Sequence, residues 1–229
     1  MVDAIRIQSH IYKGYGKAAE RLGLPFSIKR PTSTTDPLEN EVGVVKVSLN
    51  AEDFRYGKPN KYGKPTWYAV MDGTTSRVGD YLVGADLAGR PQIFFIATQQ
   101  PLLPILVVEC NGSIRISRTT ASVGEVGPTS YSGVCDDSGD AEDVIGKADG
   151  EGWPASLIFG TGRLKNDSAM PAGTFEQLVW QIRLPASIPD DIVITPGDIL
   201  TDDLNRKFVT NGAEKTALGW RVNATEVHK

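Results

Sequence analysis

One short pattern occurs twice in this 229-residue chain, and it constrains the fold more than any other feature. The first copy runs Gly79-Asp80-Tyr81-Leu82, then Asp86-Leu87 and Arg90, then the apolar run Ile93-Phe94-Phe95-Ile96. The second runs Gly197-Asp198-Ile199-Leu200, then Asp203-Leu204 and Arg206, then Phe208-Val209. A further apolar run closes each copy, Ile105 to Val108 in one and Gly219 to Ala224 in the other. Gly-Asp ahead of two large apolar residues is a turn delivering the chain into a strand. The Asp-Leu segment with its following Arg is the tip of the next hairpin. The repetition predicts a duplicated β-hairpin unit.

One helix is predicted, over residues 4–22. Ile7, Ile11, Tyr15, Ala18 and Leu22 recur at spacings of four, four, three and four, which puts them on one face. Gly23 reads as its C-cap, and Pro25 blocks continuation. Gly14 and Gly16 each weaken the interior by roughly 1 kcal/mol relative to alanine, so the helix needs a neighbour, for which another chain would serve. Strands are expected at Val44 to Leu49, Ser113 to Arg118, Trp153 to Phe159 and Phe175 to Leu184. In the last strand Trp220, Val222 and Ala224 alternate with Arg221 and Asn223. The fold class is therefore mainly β: a β-barrel or sandwich built from a duplicated β-hairpin unit, with one N-terminal α-helix. Five segments follow: a helical arm (1–25), a loop-rich arm (26–66), a first β module (67–118), an exposed loop or insertion (119–150) and a second β module (151–229).

The 24 Lys and Arg against 28 Asp and Glu leave a net charge of −4. A chain with that balance has no global attraction for nucleic acid or anionic lipid. No run approaches the roughly 18 apolar residues of a membrane span, and Met1 to Arg6 do not have the basic-then-apolar order of a secretory signal. Cys110 and Cys135 lie in unlike surroundings and are expected as free thiols in a reducing cytoplasm.

Catalytic chemistry finds little to use. The two histidines are His10, inside the helix pattern, and His228, beside the C-terminus; no Gly-x-Ser-x-Gly elbow accompanies them. The acidic run Asp136 to Asp143 does not have EF-hand spacing, and Gly14-Tyr15-Gly16-Lys17 interrupts a helix where a phosphate loop needs a strand before it. Arg55 to Trp67 mixes basic and aromatic residues, which a solvated hairpin explains more simply than a nucleic-acid grip. A wall-degrading enzyme would need paired carboxylates or a zinc triad. No catalytic residue, cofactor or metal is expected. A glycan- or receptor-binding β module, with Trp153 and Trp180 as a stacking platform, is the main alternative among binding proteins.

The segments Ile7 to Ala19 with Arg21-Leu22-Gly23-Leu24-Pro25, then Gly79 to Leu82, Gln99 to Pro104 and Gly152 to Ala155, resemble small virion proteins encoded among the structural genes of tailed bacteriophages. The stretches Gly197 to Asp203 and Leu218 to Val222 are similar to the strand-turn-strand ending of head-closure and head–tail adaptor proteins. The resemblance covers most of the chain outside 26–66 and 119–150, and its motifs are structural turns. It implies a non-enzymatic structural protein of the virion, assembled in the host cytoplasm. Such a protein forms an oligomeric ring at the head–tail junction, in the tail, or as a baseplate or tail-tip hub. Partners are then further copies of the chain and other phage structural proteins such as connector, tail tube, sheath or baseplate, with no sequence-specific nucleic acid and no membrane. Ile7, Ile11 and Tyr15 on the helix, with Leu102 and Leu103 in the apolar loop, are the candidate subunit interface.

Overall fold

The structure is a computed structural model that describes residues 4–51, 63–119, 141–147, 150, 152–160 and 179–227. Helix α1 (Ala4–Leu22) leads into β1 (Leu24–Lys29), β2 (Glu41–Ala51), β3 (Thr66–Val70), β4 (Tyr81–Ala85), β5 (Pro91–Thr98) and β6 (Ile105–Cys110). Then follow β7 (Gly112–Thr119), β8 (Ala141–Ile145), β9 (Trp153–Gly160), β10 (Val179–Leu184), β11 (Ile199–Asp202), β12 (Lys207–Thr216) and β13 (Gly219–Val227).

These strands form two closed six-stranded antiparallel barrels. The first has the order β1-β2-β3-β6-β5-β4 and closes by pairing β1 with β4. The second has the order β7-β9-β10-β13-β12-β11 and closes by pairing β11 with β7, while β8 adds to β7. Mapping β1 to β7, β2 to β9, and β3 through β6 to β10 through β13 converts one order into the other. The duplication thus extends from a hairpin to a whole barrel.

Register supports that mapping residue by residue. Lys29 lies opposite Tyr81 as Ser117 lies opposite Ile199, and Trp67 opposite Val107 as Trp180 opposite Ala224. Each barrel bends its fifth strand with a bulge at the same place, between Ile96 and Thr98 in β5 and between Thr210 and Gly212 in β12. The copies diverge at one strand. β2 runs unbroken along β1, whereas its counterpart is split: β8 takes the end of β7 and β9 takes its start.

Alternation fills both interiors. Phe26, Ile28, Leu82, Phe94 and Val107 close the first barrel, with Phe26 and Phe94 packed edge to face. Leu200, Phe208, Val222 and Ala224 do the same in the second. The first barrel also has an apolar outer wall. Tyr81, Phe95 and Val108 leave its surface and join the second barrel's core around Trp153 and Ala155. The Tyr81 and Trp153 rings meet edge to face with centroids 6.4 Å apart, and the Tyr81 hydroxyl donates to the Pro154 carbonyl at 2.9 Å. The Trp153 indole in turn donates to the Thr34 carbonyl at 2.7 Å. The counterparts of Tyr81, Phe95 and Val108 in the second barrel are Ile199, Val209 and Thr225, all half-exposed. One barrel's outer wall therefore packs on a different part of the other.

Several boundaries differ from the expected ones. Within 26–66, residues 26–51 are not an arm: β1 and β2 are full members of the first barrel, because Phe26, Ile28 and Val47 supply its core, and residues 52–62 lie outside the described part. Strand β7 belongs to the second barrel, so the junction falls at Asn111 rather than after 118. Within 119–150, β8 is a paired strand, and residues 120–140 lie outside the described part. Residues 175–178 of the expected tenth strand, residues 55–62 of the basic-aromatic stretch, Cys135 and His228 also lie outside it. α1 has the expected bounds, but the face against the barrel is one residue further on. Tyr12 packs on the first core and Ala19 is fully buried, while Ile7 and Leu22 point outward. Gly23 donates to the Ala19 carbonyl and approaches the Val47 backbone so closely that a Cβ would collide with it.

Removing the Tyr81 hydroxyl leaves a buried carbonyl without its donor, so Tyr81→Phe should lower the unfolding free energy by about 1–2 kcal/mol in urea titration. Burial pushes the Tyr81 phenol well above its ordinary value. The unfolded chain then loses that proton first, and stability should fall as pH rises past about 10. Tyr81→Phe should flatten this alkaline decline.

Candidate functional site

The repeated residues form two kinds of clamp, each present in both barrels. The first joins the turn before the fourth strand to the first strand. Gly79 and Gly197 sit at φ of +91° and +94°, a backbone conformation that glycine adopts without strain. Asp80 is then buried, and its carboxylate accepts from Arg30 Nε at 2.9 Å, Arg30 Nη2 at 2.8 Å and the Arg77 amide at 2.8 Å. Asp198 repeats this with Arg118 Nε at 2.8 Å, Arg118 Nη2 at 2.9 Å and the Thr195 amide at 2.8 Å. Bidentate pairs of this kind are strong and directional. The carboxylates hold both guanidinium groups in their charged form more firmly than usual. These pairs lie where the barrels close, β1 on β4 and β7 on β11.

The second clamp is a hairpin tip. The Asp86 carboxylate accepts from the Ala88 and Arg90 amides and from Arg90 Nε, and Gly89 takes φ +78°. Asp202 accepts in the same way from the Leu204 and Arg206 amides and from Arg206 Nε, with Asn205 at φ +58°. The counterpart of Asp86 is therefore Asp202, not Asp203 as the sequence pairing expects. The first hairpin carries two more ladder pairs, Gly84 with Gln92 and Ala85 with Pro91, which shifts the apparent spacing. Asp202 is also the deeper site. Its Arg206 lies over the Trp180 ring at 4.8 Å and beside Phe208.

A third correspondence is invisible in the repeat. Trp67 donates its indole N–H to Glu109 at 2.9 Å, and Trp180 donates to Glu226 at 3.0 Å, at matching register positions. Trp180 is flanked by Phe159 and Phe208, and Trp153 is fully buried. The two tryptophans proposed as a stacking platform thus face different surroundings and present no shared flat surface.

The candidate interface residues gather in part. Leu102 and Leu103 are 59% and 47% exposed, and Ile7 is 39% exposed, while Ile11 and Tyr15 are half-buried. Leu102 adopts φ +66°, a strained conformation for its residue type. Gln8 holds that turn by accepting the Leu102 amide at 2.8 Å. This bond brings the apolar loop to the N-terminal half of α1, the half that carries Ile7 and Ile11; Tyr15 lies two turns further along. His10 is exposed on the helix. Gly14 and Gly16 lie inside α1. Cys110 carries a free thiol whose proton is held by burial. Among the described residues no three His, Cys, Asp or Glu side chains come together as a metal-binding group.

No protein-family model, curated protein or solved structure matches the chain.

The clamps differ in depth, and stability should follow depth. Asp198→Ala strands a guanidinium and a backbone amide and should cost about 2–4 kcal/mol in urea unfolding. Asp202→Ala should cost more than Asp86→Ala, because the Asp202 carboxylate is fully buried and the Asp86 one is partly wet. Glu214→Ala removes an exposed pair with Arg221 and should cost under about 1 kcal/mol.

Proposed function

We propose that this chain is a non-enzymatic structural subunit of a tailed-bacteriophage particle, forming an oligomeric ring at the head–tail junction or in the tail. The observation that carries the reading is where its buried polar chemistry is used. The buried carboxylates Asp80, Asp198 and Asp202 are each engaged by an arginine and backbone amides in turns and barrel closures. They are committed to holding shape. Two fused barrels with clamped hairpins make a rigid block, which is what a ring subunit needs in order to meet a neighbour at a fixed angle. The exposed apolar strip along α1 and the Leu102–Leu103 turn supplies a surface for such a neighbour.

Light scattering followed by class averages of negatively stained particles tests the reading. Closed rings, or a monomer that closes into rings on addition of other virion structural proteins, are the expected result. Sixfold or twelvefold symmetry points to the junction or a tail collar, and threefold symmetry to a baseplate hub. A chain that stays monomeric beside those proteins and instead binds a glycan or degrades cell wall would overturn it.

A further inference from the structure

α1 has three faces. Gln8, Tyr12, Gly16 and Ala19 lie toward the first barrel, where Tyr12 joins the core and Gly16 comes within 3.2 Å of Asp72 by its would-be Cβ. At ~100° per residue, Ile7, Ile11, Tyr15, Ala18 and Leu22 form a second, apolar stripe at the edge of the barrel contact, with Ile7, Ala18 and Leu22 exposed and Ile11 and Tyr15 half-buried. Arg6, His10, Lys13, Lys17 and Arg21 form a third row beside it, every one of them exposed. Four basic residues against Glu20 give the helix a charge of +3, while the described residues outside it carry 16 Asp and Glu against 14 Lys and Arg, a charge of −2.

Gly14 lies between the apolar stripe and the basic row. A Cβ built on it would meet nothing within 4 Å, so no contact among the described residues accounts for a residue that costs a helix about 1 kcal/mol relative to alanine. Four residues on, Ala18 continues the shallow strip, and such small residues let another backbone approach a helix closely. The strained Leu102 turn, fixed by Gln8, extends the same surface.

Charge complementarity indicates what covers it. Two α1 helices facing each other would oppose two charges of +3, so a symmetric helix-to-helix contact is disfavoured. A local surface with an excess of carboxylates, to which Asp191 and Glu142 contribute, lies on the second barrel. On the second barrel, Val193 is 56% exposed in an acidic setting. Asp190 and Asp191 precede it, Asp190 also holding Lys215. Arg118 Nη2 donates to the Val193 carbonyl, and Glu142 lies opposite Arg118 in the ladder. We propose that α1, with Leu102 and Leu103, grips the acidic surface around Val193 on a second copy of this chain. The contact joins unlike surfaces, so it propagates from copy to copy, and a rotation between copies that divides the full turn closes it as a ring. It rests on the ring-subunit reading and names the surfaces that reading requires.

The test measures the mass of the full chain by light scattering and sedimentation across a salt series. Wild type should assemble at low salt and dissociate as salt rises. Lys13→Glu with Lys17→Glu should weaken association by about tenfold or more, and so should Glu142→Lys with Asp191→Lys. All four changes together should restore it. Gly14→Ala should raise the melting temperature and still weaken association, a pairing that a purely internal role for Gly14 does not produce. Circular dichroism checks that each variant is folded. Rings that ignore every one of these substitutions overturn the surface assignment and leave the ring reading standing. A wild type that is monomeric alone at all salt concentrations, whether it rings only with other virion proteins or floats with anionic vesicles, overturns the second-copy partner.

Discussion

The packing of the first barrel's outer wall on the second barrel's core governs the rest of this molecule. Tyr81, Phe95 and Val108 lie on the side of a barrel that normally meets water. Here they are enclosed by Trp153, Ala155 and their neighbours. Burying such side chains contributes about 1.5–3 kcal/mol each, so the two barrels behave as one body. The polar bonds at the seam are local consequences of that enclosure. Tyr81 donates to Pro154 in a site that excludes water, and Ser187 donates to the Gly79 carbonyl where the Gly79 turn is pressed against it.

The duplication has kept its turn chemistry while its surfaces have diverged. Both barrels close on an Arg–Asp pair, turn on an Asp-anchored tip and bulge at the same rung. Where the first barrel has Tyr81 and Phe95 on its outer wall, the second has Ile199 and Val209. Only one of the two equivalent walls is buried, so the matching positions answer to different solvents. The clamps answer first to the local backbone path, which is the same at both Gly-Asp turns.

This division also decides what the sequence could tell. The Gly-Asp turns and the tips were legible because their hydrogen bonds span two to four residues. The arginines that complete the closures were not: Arg30 lies 50 residues from Asp80 and Arg118 lies 80 from Asp198. The central part of β2 was expected at Val44 to Leu49, but β1 was not: its six residues follow directly on the helix stop at Gly23, and Pro25 reads as the end of a helix, although Phe26 and Ile28 alternate inward. The bounds of α1 were readable from its stripe and its terminal glycine. Which face meets the barrel was not, because its largest aliphatic side chains face outward while Tyr12 and Ala19 face in. The whole-barrel duplication was partly masked by two extra rungs in one hairpin and by the split of β2's counterpart into β8 and β9.

The order in which the chain leaves the ribosome gives the seam a further meaning. The first barrel is complete at Cys110, but Trp153 and Pro154, which meet Tyr81 on its outer wall, lie some forty residues further on. During synthesis a finished barrel therefore waits with Tyr81 incompletely covered until Trp153 and Pro154 are made. A neighbouring nascent chain carries the same incompletely covered wall. The direct step from β6 into β7 through Asn111 keeps the rightful cover tethered at the wall's edge. Its high effective concentration there favours the intramolecular partner over the neighbour.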